Sequence, residues 1–126
     1  MALPTTERFV KATEAELGFN LPNWLRERLL RTNGGTIEAA GEHWELFSVF
    51  DTTDRKHIAR STTNILRETH SAREWVGFPQ LAVAIACNGG GDYLILLPES
   101  QSQLCSIAYR WQHDTDEPPV PVEVSR

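Results

Sequence analysis

Two glycine-anchored junctions constrain this chain more than any other feature. The first runs from Leu21, Pro22, Asn23, Trp24 and Leu25 through a Leu/Arg stretch to Asn33, Gly34 and Gly35. The second runs from Ile85, Ala86, Cys87 and Asn88 into Gly89, Gly90, Gly91 and Asp92. Each alone is an ordinary helix stop or hairpin turn, because glycine reaches positive φ without steric penalty. Together, and in this order, they mark a small α+β module.

The apolar spacing between and around these junctions assigns the elements. Thr5 or Thr6 caps a first helix, Glu7 suits its first turn, and Phe9, Val10, Thr13 and Leu17 recur at three- and four-residue intervals before Gly18. Pro22 starts a second helix, with Trp24, Leu25 and Leu29 as the buried stripe and Asn33 with Gly34 as a left-handed ending. Thr36 to Ala39 and His43 to Val49 alternate as a hairpin about Ala40, Gly41 and Glu42. Asp51 to Asp54 offers caps for a helix reaching His70, weakened at the Ser61, Thr62, Thr63 cluster and there either continuous or interrupted.

The strongest strand starts at Leu81, where Leu81, Val83, Ile85 and Cys87 alternate with Ala82, Ala84 and Ala86, so that large side chains form one row and both faces are covered. Tyr93 to Leu97 is its antiparallel partner. Cys105, Ile107, Tyr109 and Trp111 then set a third apolar row on one face. Beyond His113 the composition turns to Asp114, Asp116, Glu117, Pro118, Pro119 and Pro121, which excludes a central strand and reads as an extended acidic tail or an edge segment over 114–126. Residues 1–126 are expected to form a single α+β domain.

Charge and residue inventory exclude several function classes. The net charge is −5, which argues against a general nucleic-acid binder, whose affinity comes from Lys and Arg against phosphates, and favours a basic partner. The local excess of Arg55, Lys56, Arg60, Arg67 and Arg73 reads as a solvated face. No apolar run approaches the ~20 residues a membrane span needs. The first residues carry no export signal, so a cytoplasmic address is expected. Cys87 and Cys105 read as buried thiols; a cross-strand disulfide is open in geometry but disfavoured in a reducing compartment. Gly89 to Gly91 lacks the Lys-Ser/Thr ending of a phosphate loop, and Asp92 is assigned to bonding the turn's own amides. His43, His57, His70 and His113 have no metal-site spacing, no serine has an evident base, and Glu14 with Glu16 and Glu42 with Glu45 read as solvent-facing. No catalytic residue, metal or cofactor is assigned.

What remains is a binding surface. Trp24 and Trp111 lie on inferred core stripes, whereas Trp44, flanked by Glu42, His43 and Glu45, is a candidate exposed anchor. Glu42, Glu45, Asp51, Asp54, Asp114, Asp116 and Glu117 are the acidic candidates for steering a partner.

These residues resemble the SUKH superfamily, which contains fungal Smi/Knr cell-wall regulators and many bacterial immunity proteins. The resemblance rests on the helix ending at Leu17 and Gly18, the Leu21-Pro22 entry with Trp24, the Asn33-Gly34-Gly35 exit, Ile85 through Asp92, and His113 with Asp114 as the family's late His-acidic pair. Many relatives continue with another helix after that pair, where this chain has prolines. The resemblance implies an α+β fold with a curved, mainly antiparallel sheet backed by helices, and binding rather than catalysis: a non-enzymatic immunity protein that neutralises a cognate toxin, a nuclease being the best match for an acidic inhibitor. On the residues themselves, Glu42, Trp44, Glu45, Asp114, Asp116 and Glu117 are the candidate contacts. A regulatory scaffold binding an endogenous protein in cell-wall synthesis or signalling is the alternative, and a small-molecule or nucleotide sensor a third.

Overall fold

The helical first third forms where the spacing predicts, but its joints are made by side chains. The structure, a computed structural model, describes residues 2–125. Helix α1 spans Glu7–Leu17 and ends at Gly18 with φ 79°; α2 spans Asn23–Arg31 directly after Pro22. Glu14 is buried, a correction to its solvent-facing assignment. Its carboxylate accepts from the Leu21 N–H at 2.7 Å and lies 3.4 Å from Arg26 Nε, fixing the turn between the two helices. The left-handed ending expected at Asn33 and Gly34 is also corrected. The α2 cap is extended Thr32, and positive φ falls on Gly34 and Gly35. Asn33 turns inward, where its Nδ2 donates to the Val49 carbonyl and its Oδ1 accepts from the Val49 N–H, both at 2.8 Å. A buried amide thus acts as one rung of a ladder, satisfying both backbone groups of Val49.

Strands β1 (Thr36–Ala39) and β2 (Glu42–Leu46) form the hairpin, with Ala40 and Gly41 both at positive φ, the requirement of a two-residue turn that follows sheet twist. The predicted helix after Asp54 is two helices, α3 (Arg55–Ala59) capped by Asp54 and α4 (Ile65–Ala72) capped by Asn64, broken at the Ser61 to Thr63 cluster. Strands β3 (Val83–Cys87), β4 (Tyr93–Pro98) and β5 (Leu104–Trp111) form the middle of the sheet, and α4 packs on β3. Val83 to Ala86 and Leu94 to Leu96 are buried without a break, so both faces of these strands are covered.

Two register shifts change the side-chain rows. Ala84 pairs with Ile95 and Ala86 with Leu94, leaving Ile85 as an extra residue. Val83 therefore faces the side of Leu96 and Cys87 the side of Tyr93, so the expected single row of large residues is split between faces. Leu81 lies outside the strand and is exposed. In β5 a shift between the Leu96–Ala108 and Pro98–Leu104 pairs leaves Ile107 exposed and buries Ala108, which corrects the predicted Cys105, Ile107, Tyr109 row. Such irregularities strengthen twist and curve the sheet.

Closure comes from the C-terminal segment. β6 (Val120–Val122) pairs with β5, β7 (Val124–Ser125) pairs with β1, and Glu123 alone separates them. The order is β6-β5-β4-β3-β2-β1-β7, all antiparallel, so the sheet is curved until it is nearly closed. Residues 120–125 thus occupy the sheet edges, where Pro121 is tolerated because an edge strand leaves one side unpaired, while 114–119 lie outside helix and strand. Where this segment leaves β5, the Trp24 indole of α2 donates to the Ser106 carbonyl at 2.8 Å and supplies a missing ladder bond. Among the described residues no helix is long and apolar enough to cross a membrane.

Replacing Asn33 by Ala would leave the buried N–H and C=O of Val49 without partners, at about 1–3 kcal/mol per group. The urea midpoint should fall accordingly with an unchanged slope. A loss under about 0.5 kcal/mol would show that the rung is dispensable.

Candidate functional site

One end of the sheet carries a continuous polar network centred on Arg110. Its Nη1 donates to Glu42 Oε2 at 2.7 Å, and its Nη2 and Nε donate to Asp92 Oδ2 at 2.9 and 3.3 Å. The guanidinium also lies 5.3 Å from the Trp44 ring centroid, in range for a cation–π contact. The register explains this meeting: Leu46, Ala86, Leu94 and Arg110 form one cross-strand row, and Glu42 and Trp44 precede Leu46 by two-residue steps on the same face.

Asn88 makes the hairpin turn that Asp92 was expected to make. Its Oδ1 accepts from the Gly90 and Asp92 N–H groups and its Nδ2 donates to Glu42 Oε1. Asp92 is released for the network, a correction to its predicted role. Its second oxygen lies 3.1 Å from His113 Nδ1, and an ionised carboxylate only accepts, so this nitrogen carries the proton. Burial pushes the Asp92 carboxyl upward, but the hydrogen bonds from Arg110 and His113 and the Arg110 charge outweigh it and hold it below the usual range. His113 rests on Gly91, where an added Cβ would meet the ring at 2.6 Å, and its other side meets the Trp75 ring at 5.2 Å between centroids.

The opposite face carries a second row, Glu45, Cys87, Tyr93 and Trp111. Phe78 covers it, with ring centroids 6.0 Å from Tyr93 and 5.1 Å from Trp111. Burial, and then the carboxylates of Glu45 and Glu68, push the Cys87 thiol up, so it is a poor nucleophile; both cysteines are free. Trp75 lies near the Tyr93 hydroxyl. Glu45 stands opposite Cys87 at one end of this row, and Trp75 meets His113 at the other.

The predicted contact residues divide. Glu45, Asp114, Asp116 and Glu117 are exposed. Glu42 is half-buried and committed to Arg110 and Asn88. Trp44 is 1% exposed, with its indole donating to the Ala39 carbonyl at 2.8 Å; the exposed-anchor expectation is corrected, because the hairpin turn beside it points the odd-numbered side chains outward instead. Asp51 is likewise buried, bonded by Thr5 and Thr53, and Asp54 caps α3. The exposed tryptophan is Trp75, with Val76 beside it; Phe50 is the other exposed aromatic among the described residues. An apolar pair interrupting Arg73, Glu74 and Gly77 after a helix was the available signal.

Asp92, His113 and Asp114 each place a ligand-type atom within 4.8 Å of the others. The guanidinium on Asp92 Oδ2 makes this a poor cation site, and among the described residues no hydroxyl or thiol is bonded to His113. The network's geometry holds a surface segment in place.

A family model described as SMI1 / KNR4 family (SUKH-1) matches residues 4–123. No curated protein and no solved structure matches the chain.

Gly91→Ala should destabilise the fold by more than about 2 kcal/mol, since it combines left-handed strain at φ 95° with displacement of His113. Adding His113→Ala should recover the steric part, giving a double-mutant cycle in which the two losses do not add. Because the Asp92 and Asp51 carboxyls are depressed in the fold, their stabilisation is present above the unfolded value and is lost as pH falls below about 4. Asp92→Asn should flatten that acid limb in pH-dependent urea titrations; an unaltered slope would contradict the assignment.

Proposed function

The chain belongs to the SMI1 / KNR4 family (SUKH-1), and from that premise we propose that it is a cytoplasmic immunity-type binding protein that neutralises a cognate basic toxin without catalysing a reaction. Membership supports an immunity or regulatory role in general. The observation that carries the finer reading is a set of uncommitted carboxylates. Asp114, Asp116 and Glu117 are exposed, and among the described residues no ion pair engages them. Glu45 is exposed as well, and among the described residues no ion pair engages it.

A nuclease must hold phosphates in a cationic cleft, and an acidic surface can occupy that cleft in place of nucleic acid. Long-range attraction speeds the encounter, and close packing then slows release. Glu42 contributes through its field while remaining bound to Arg110, and Trp44 supports the hairpin from inside.

Co-expression with the product of the adjacent toxin gene tests the proposal: survival and copurification are expected, and full killing without copurification would remove it for that pair. Within a complex, neutralising Asp114, Asp116 and Glu117 together should slow association about ten-fold at low ionic strength and flatten its salt dependence, with little change in dissociation. Stopped-flow mixing across a salt series measures both.

A further inference from the structure

We propose that the turn Trp75 to Phe78 is the apolar anchor of a docking surface for a basic polypeptide, one that inserts Val76 and the Trp75 edge into a pocket rimmed by Lys or Arg. The inference rests on the binding role above and locates its centre at residues outside the acidic set.

Phe78 N–H donates to the Trp75 carbonyl at 3.2 Å, and Gly77 sits at φ 85°, so Val76 and Gly77 are the two central residues of a tight turn with positive φ at the second. Val76 is consequently 95% exposed, and Trp75 is 44% exposed. Nothing in the turn needs a valine: its first central position accepts most residues, polar ones included. An isopropyl group at the apex beside an indole is contiguous apolar surface with no structural use, unlike a singly scattered exposed side chain.

The turn is already ordered. Phe78 is buried against Tyr93 and Trp111 beneath it, and His113 braces Trp75 from the side. Arg73 Nη2 donates to the Ala82 carbonyl and Gln80 Nε2 to the Arg73 carbonyl, tying the loop ends together. Aromatic anchors fixed before contact lose little freedom on binding, which is the condition for a few residues to dominate an interface.

Charge selects the occupant. Glu74 adjoins Trp75 and Asp114 adjoins His113, while the guanidinium of the neighbouring Arg73 is turned back to the backbone. A rim of this sign repels phosphate backbones and anionic lipid alike and attracts a cationic protein surface.

The test uses a synthetic helical peptide with leucines on one face and lysines on the other, titrated into the full-length protein. Amide shifts should concentrate at Glu74 to Gly77 and His113 to Glu117, and binding should weaken with salt. Val76→Asn, which alters no charge, should weaken it about ten-fold, whereas Val120→Asn at an exposed edge valine should not. Shifts centred elsewhere, or equal affinity for Val76→Asn in a protein of unchanged melting temperature, would overturn the proposal. With a toxin domain that the wild type binds, Val76→Asn should speed dissociation about ten-fold. Unchanged dissociation sinks the anchor and spares the immunity reading. A toxin the wild type ignores counts against that reading alone, and the peptide result still decides the anchor.

Discussion

The guanidinium of Arg110 is held between carboxylates that the chain delivers from positions far apart, Glu42 at the start of β2 and Asp92 after the glycine turn. The fork geometry lets one cation serve both, and the delocalised plane also lies over Trp44. A lysine ammonium, a point charge on a flexible stem, would not reproduce that arrangement. Removing one partner would leave a half-buried charge uncompensated, which is more damaging than the modest net worth of the pair. β2, β4 and β5 are therefore fixed relative to one another at this end of the sheet.

From there the constraint passes outward. Asp92 orients His113, Gly91 admits its ring, and the ring supports Trp75. The polar interior is thus connected by four residues to the most exposed aromatic on the surface. A binding role needs this kind of connection, because a contact residue is useful only when its rotamer is set before the partner arrives.

Local chemistry was readable in the chain, and long-range chemistry was not. Gly18, Pro22, the Ala40-Gly41 turn and the Ser61 to Thr63 break act over a few residues, and each does what its type dictates. Glu14, Asn33 and Asp92 misled because a polar side chain reads as solvent-facing or turn-forming until a distant backbone or charged partner is known. Trp44 misled for a related reason: its immediate neighbours His43 and Glu45 point to the other face of a strand whose register only the sheet reveals. The extra residue at Ile85 leaves no mark in composition, yet it reverses the row assignment of everything after it. The acidic surface of 114–117 was visible as a run of charges, whereas Trp75 and Val76 became candidates only once burial separated them from the other tryptophans.

The single residue between β6 and β7 has a consequence for how the protein is made. Glu38 and Ala39 cannot meet Ser125 and Val124 until those residues have been synthesised. At about 5–20 residues per second, the hairpin therefore waits on the order of several seconds with one rim uncovered. During that interval the nascent chain presents raw strand edges to every other chain nearby, the condition most prone to mispairing. Seating β6 on β5 and β7 on β1 then covers both of those rims with one short segment, so a single docking event shortens the interval for both.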